Sequence, residues 1–308
     1  MAFGLLLIAL AAALFGTTGT TATYLHRFYG LDPMTVGVWR LLFGAPMLLL
    51  AAWWTTGRRG GELGRTLRRN VRLFVLFGAA VAGYQLSFFE AVIRSRISTA
   101  TLLAICTGPV LVALLARLFL GERLTGRVLL ALLLSIPGAA LVVGLAEAGA
   151  ALDPAYALGH GLALVAALSY SSYVVISKGL VGGLPPVAVM GLGFGIGAVL
   201  LLPFASWPQG LPLPGWALLL YLGFGPTALA YVLYSIGLRR ATATAAAIGT
   251  LLEPLVATLL AVGLVGERLL PTHWAGAGLL LSALAVLALP ARNRNGKQMA
   301  GESNCRTV

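Results

Sequence analysis

Side chains able to do polar chemistry are few in this chain, and most of them sit inside long apolar runs. Hydroxyl pairs occur at Thr17-Thr18 and Ser171-Ser172, each beginning three residues after an Ala-Ala-Leu run. Tyr84 and Phe88 are spaced i, i+4, while Tyr170/Tyr173 and Tyr231/Tyr234 are spaced i, i+3, which puts each pair on one helical face. Such groups suit reversible binding. Hydroxyls hydrogen-bond a carboxylate or an amine without placing a charge in lipid, and a tyrosine ring packs against an apolar side chain while its hydroxyl seeks a partner. The parts for covalent chemistry are missing: there is no HExxH, no GxSxG, no phosphate loop and no acid pair within one run. Cys106 and Cys305 lie far apart and indicate neither a disulfide framework nor a metal site, and no cofactor is indicated.

The elements that position these groups follow from composition. Hydrophobic residues make up 59% of the chain, charged residues 10%, and mean hydropathy is +0.94. So much apolar surface fits a lipid bilayer, where a helical span takes about 20 residues. Ten spans can be drawn, at 3–24, 33–54, 71–92, 98–120, 127–146, 156–178, 185–205, 214–236, 242–265 and 272–290. Short loops rich in Pro, Gly and charge separate them, as at Asp32-Pro33, Gly57 to Gly61 and Asp153-Pro154. The segment 291–308 is polar and reads as a disordered tail. The opening run lacks a basic leader segment and continues to Leu25, which argues against a signal peptide.

The net charge of +12 raises nucleic acid as a partner, but its distribution excludes that reading. The basic residues lie in loops between spans, with no basic helix carrying interleaved aromatics. With the N-terminus inside, sixteen Lys and Arg fall on the inner side, including Arg58, Arg59, Arg65, Arg68, Arg69 and Arg72. Only Arg27, Arg94, Arg96 and Arg268 fall outside, so the positive-inside rule puts both termini in the cytoplasm.

A repeat underlies the spans. Residues 94–124 align without a gap on 239–269, matching at Arg94/Arg239, Thr99/Thr244, Pro109/Pro254 and throughout Gly-Glu-Arg-Leu at 121–124 and 266–269. The expected units are a first five-helix repeat over 1–148, a second over 149–290, and the tail 291–308. Five spans per unit is an odd number, so the second must enter the membrane inverted. That is an architecture of secondary transporters, with a site near midplane where the repeats meet.

Within this frame several residues admit two roles. Thr17, Thr18, Thr99 and Ser171 either let helices pack closely or line a wet cavity. Tyr84, Phe88, Tyr170 and Tyr231 either pack between helices or line the same cavity. Arg40, roughly two turns inside the outer end of its span, is expected to form a structural ion pair with Glu90. Glu253 lies near midspan beside Pro254, where it either donates a hydrogen bond to the Thr250 carbonyl that proline frees or serves in proton coupling, the structural role being preferred. Glu122 and Glu267 stand at helix ends on opposite faces and read as structural or gate-closing groups. Pro109 and Pro254 read as hinges at equivalent places. The glycines from Gly191 to Gly197 favour close helix packing. His26, His160 and His273 map to outer span ends as exposed loop residues.

Taken in order, Leu14-Phe15-Gly16-Thr17-Thr18, Trp39-Arg40-Leu41, Pro109 to Leu124, Gly223 through Thr227 to Tyr231, and Leu252-Glu253-Pro254 to Leu269 resemble the EamA family of the drug/metabolite transporter superfamily. Phe15 stands where that family's first motif usually carries Trp. The resemblance implies an all-α membrane protein of ten transmembrane helices in two inverted repeats around a central cavity. It also implies alternating-access transport of small neutral metabolites, often outward, with the family's aromatic amino-acid exporters as the nearest type. The partners are then a small-molecule substrate and the bilayer of a bacterial-type inner membrane. A multidrug or quaternary-cation efflux transporter is the alternative.

Overall fold

In lipid, an apolar run must satisfy its backbone polar groups internally, so each run becomes a helix. The computed structural model describes the backbone of residues 2–55, 60–95, 97–143, 156–265 and 270–289. It describes their side chains except at 60–63, 66, 97–99, 102, 143, 261–262 and 264–265. The first half holds α1 (Ala2–Tyr29), α2 (Pro33–Thr55), α3 (Gly60–Arg69), α4 (Val71–Arg94), α5 (Ile97–Leu120) and α6 (Gly126–Val143). The second holds α7 (Ala157–Val181), α8 (Pro186–Leu201), α9 (Leu213–Gly223), α10 (Ala230–Arg240), α11 (Ala243–Thr250), α12 (Leu252–Val265) and α13 (Pro271–Ala288). No strand occurs among the described residues.

A π turn over Phe224–Leu229 joins α9 to α10 in one span, Leu213–Arg240, and α11 and α12 together make the next. Among the described residues nine spans have the length and hydropathy to cross a bilayer, and the shorter apolar α6 is the tenth of the fold. The protein is thus all-α, with ten transmembrane helices in two inverted repeats.

Three local features depart from the sequence reading. Of the loop expected at Gly57 to Gly61, Gly60 and Gly61 instead open α3, a short arginine-bearing helix, while 57–59 lie outside the described residues. The eighth span widens into a π turn because Pro226 has no N–H for the Leu222 carbonyl, and the Thr227 hydroxyl takes that carbonyl instead at 2.7 Å. The ninth span breaks at Leu251, which places Pro254 in the first turn of α12, where a missing N–H costs no hydrogen bond. Its counterpart Pro109 lies inside the unbroken α5, so the two prolines are not structurally equivalent.

Packing between the halves follows a pseudo-two-fold pattern. Helix α2 packs on its counterpart α8, and α6 on its counterpart α13. As α1 packs on α10 and on the α11–α12 pair, so α7 packs on α4 and α5. Small residues set these distances: a Cβ at Gly276 would lie 2.6 Å from the Gly138 carbonyl oxygen, so α6 and α13 touch backbone to backbone. The glycines of α8 pack closely as expected, with a Cβ at Gly193 reaching 2.4 Å from the Phe77 ring and one at Gly197 reaching 2.9 Å from Val81.

Candidate functional site

Five helices aim aromatic rings at the place where the repeats meet. Tyr84 and Phe88 of α4 stack at 5.7 Å, and Tyr84 lies 6.2 Å from Tyr170 of α7. Tyr170 meets Tyr173 edge-on at 5.2 Å, and the Tyr173 hydroxyl is 3.2 Å from that of Tyr231 on α10. Phe15 of α1 and Phe194 of α8 close on Tyr231 at 4.9 and 4.1 Å. Tyr84, Phe88, Tyr170 and Tyr231 keep partial exposure although they sit inside the bundle, so they face an internal space. The spacing of three and four residues brings these rings together as expected.

The ninth span supplies the polar edge. The Thr250 hydroxyl donates to the Ala247 carbonyl at 2.8 Å, which leaves its oxygen to accept the Tyr170 hydroxyl at 3.0 Å. Glu253 opens α12 beside α1, where Gly16 permits the approach: a Cβ there would come 2.8 Å from the Glu253 carbonyl oxygen. The Glu253 side chain is partly exposed and has no hydrogen-bond partner among the described residues, so the bond expected to the Thr250 carbonyl does not form. The break at Leu251 explains this, because Thr250 belongs to the preceding helix.

Arg40 also corrects the sequence reading. Its Nη2 donates to Gln85 Oε1 at 3.3 Å, and Gln85 in turn donates to the Gly37 carbonyl at 3.0 Å. Glu90 pairs instead with Arg94 at 2.8 Å, one turn along its own helix and well exposed. Depth in the membrane suggested an Arg40–Glu90 pair, but helix rotation turns Arg40 inward. Its Nε is buried and lacks a partner among the described residues, as do the hydroxyls of Thr18 and Tyr234. Gln85 neighbours Tyr84 on α4, so Arg40 reaches the border of the aromatic cluster.

The hydroxyl pairs separate. Ser171 is fully buried and bonds the Gly108 carbonyl of α5 at 3.1 Å and Ala167 at 2.7 Å, so it joins helices. Thr17 turns to α9, where it accepts the Tyr221 hydroxyl at 2.9 Å. Thr18, three residues beyond Phe15, shares its face. The side chain of Thr99 and the whole of Glu267 lie outside the described residues.

Glu122 has a defined place. Gly121 ends α5 at φ 65°, and the Glu122 N–H returns to the Ala116 carbonyl at 3.2 Å, the glycine-terminated helix end that a Cβ would strain. The turn delivers the carboxylate to the first N–H groups of α11 in the other repeat. It accepts from Ala243 N at 2.6 Å, Thr244 N at 3.3 Å and the Thr244 hydroxyl at 3.1 Å. The Thr242 hydroxyl takes Ala245 N, completing the cap. Beside it Lys178 donates to the carbonyls of Leu238 and Ala241 at the end of α10.

Sequence reasoning missed Gln85, Phe194 and the part played by Lys178. Phe194 was visible as the one aromatic residue in a glycine run, where small neighbours let a ring reach three helices. His26 and His273 bond loop and cap backbone, at Leu31 O and Leu270 N. His160 departs from the exposed-loop reading, since it lies within α7 and its Nε2 is buried with no partner among the described residues. No group of metal-binding side chains occurs among the described residues.

An interior aromatic space between two inverted five-helix repeats is the anatomy of a secondary transporter. The chain belongs to the EamA-like transporter family, whose model matches residues 2–144 and again 157–289. It is 33% identical to the uncharacterized transporter YwfM of Bacillus subtilis, over 96% of this chain and 97% of that protein. It is 27% identical to the aromatic amino acid exporter YddG of Ancylobacter novellus, over 70% of this chain and 78% of that one. Identity is also 27% to a probable terminal-alkyne amino-acid exporter of Streptantibioticus cattleyicolor, over 84% of each chain. A crystal structure 22% identical in sequence superposes with a TM-score of 0.78, covering 96% of this chain and 98% of the other, and it shares the fold. The protein is therefore a multi-pass integral membrane transporter.

Proposed function

We propose that the protein exports neutral amino acids with hydrophobic or aromatic side chains by alternating access. The observation that carries this reading is the convergence of Tyr84, Tyr170 and Tyr231, partly exposed, from three helices of both repeats. Rings of this kind desolvate an aromatic side chain cheaply, while Thr250, Glu253 and the tyrosine hydroxyls offer hydrogen bonds to a polar end. Two relatives with amino-acid exporter names support the substrate class. The spans that carry the cluster offer no group of arginines for a phosphate site.

The proposed frame is a bacterial-type inner membrane with both termini cytoplasmic, supported by the bias of Lys and Arg to one side. The repeats are proposed to divide near residues 148 and 149, within the gap between the two family matches. Multidrug or quaternary-cation efflux is a second reading, favoured by one observation: the unpartnered, partly exposed Glu253. Growth of cells expressing the protein separates the two. Protection against p-fluorophenylalanine supports amino-acid export, and protection against tetraphenylphosphonium alone supports the cation reading.

A further inference from the structure

We propose that Arg40 and Glu253 are the two poles of a clamp for a zwitterion, the guanidinium taking the α-carboxylate and the Glu253 side chain taking the α-ammonium. The proposal rests on the amino-acid reading and assigns it two recognition groups. Arg40 comes from α2 of one repeat and Glu253 from α12 of the other, and both border the aromatic cluster: Arg40 bonds Gln85, next to Tyr84 on α4, Tyr84 lies 6.2 Å from Tyr170, and Tyr170 bonds Thr250 three residues before Glu253. They do not close into an ion pair. Opposite charges in a low-dielectric interior pull together unless they are held apart. Here Gln85 holds the Arg40 fork, and Gly37 holds Gln85.

Each pole is left unsatisfied. The Arg40 Nε is buried with no partner among the described residues, and Nη2 beside it has a single bond, to Gln85, so the edge that forks a carboxylate keeps a free donor. The Glu253 side chain likewise has no hydrogen-bond partner among the described residues. Unpaired polar groups in an interior are costly, and a ligand that pairs them regains that cost. A zwitterion satisfies both poles at once and adds no net charge. An amine or an acid satisfies one and leaves the other stranded. The clamp therefore selects amino acids over amines and over carboxylic acids, while the tyrosines select the side chain.

Binding to the purified protein in nanodiscs tests this with three probes that share one ring: L-phenylalanine, phenethylamine and 3-phenylpropionate. The wild type is expected to bind L-phenylalanine at least about tenfold more tightly than either single-pole probe, the weight of one charge-assisted hydrogen bond. Arg40→Gln should weaken L-phenylalanine by a similar factor and leave phenethylamine unchanged. Glu253→Gln should weaken L-phenylalanine and leave 3-phenylpropionate unchanged. Arg40→Lys should recover part of the loss, since it restores the charge without the fork. If Arg40→Gln does not fold, the wild-type series decides alone, because discrimination among the probes needs no variant. Equal wild-type affinity for L-phenylalanine and phenethylamine overturns the clamp and leaves the aromatic site standing. Uniform weakening of all three probes in both variants also overturns the clamp. No binding of L-phenylalanine to the wild type overturns the clamp and the amino-acid reading together.

Discussion

Glu122 and Thr244, 122 residues apart in sequence, are joined twice: one carboxylate oxygen of Glu122 accepts both the hydroxyl and the amide of Thr244, at 3.1 and 3.3 Å. The other oxygen takes the Ala243 amide, so a side chain of one repeat caps a helix of the other. A negative group at a helix N-terminus is favoured by the exposed N–H groups and the helix dipole together. The bond therefore ties the two repeats together at that end of α5. Glu122→Ala should lower stability by about 1 kcal/mol, the usual worth of a cap. It should also speed reaction of a thiol-directed probe with Ala247→Cys, a buried position on α11, in a background lacking Cys106 and Cys305. An unchanged labelling rate would show the cap to be structural only.

The prolines now carry different expectations. Pro109→Ala and Pro254→Ala should both insert, because alanine favours helix and leaves little void. Pro254→Ala should slow transport more. With its N–H restored, the ninth span can run through Leu251 as one helix, shifting Glu253 and Thr250 away from Tyr170. Wild-type rates in both variants would remove the hinge role.

Substituting the clustered tyrosines should change which substrates move, not merely how fast. Tyr84→Ala, Tyr170→Ala and Tyr231→Ala are each expected to alter the ranking of amino-acid substrates in competition assays more than Tyr29→Ala does. Tyr29 lies away from the cluster, beside Tyr24. A Tyr29→Ala effect as large as the others would disconnect the cluster from selectivity.

Most spans were legible in the sequence because each combines an apolar run of membrane length with punctuation at its ends. Asp32-Pro33 shows how literal that punctuation is: Asp32 accepts the N–H groups of Met34 and Thr35 while Pro33 opens α2. The gapless alignment of 94–124 on 239–269 likewise revealed the repeat. Helix rotation was not legible. Position along the chain gave Arg40 and Glu90 neighbouring depths, but only the packed bundle turns one to Gln85 and the other to Arg94. The same limit divides the hydroxyls, since Ser171 aligns with Thr17 yet bonds the α5 backbone while Thr17 meets Tyr221. Pro254 signalled a local kink, but not that the helix stops at Leu251 and starts afresh, with the proline in the new first turn.

The contact between α6 and α13 offers a stability test remote from the cluster. Gly276→Leu must push a side chain into the Gly138 backbone, where even a Cβ would lie 2.6 Å from the carbonyl oxygen. Overpacking of this kind costs about 1–3 kcal/mol. The melting temperature in detergent should fall, and an unchanged value would mean that the helices separate there without penalty.

Amino-acid transport is measured most directly in proteoliposomes holding the purified protein, loaded with unlabelled L-phenylalanine and diluted into labelled L-phenylalanine, a labelled quaternary cation or a labelled nucleoside. Labelled L-phenylalanine is expected to accumulate transiently by exchange, and to do so far faster than in protein-free vesicles. The quaternary cation and the nucleoside are expected to stay at the background of those vesicles. Accumulation of the cation with no response to L-phenylalanine would contradict the assignment.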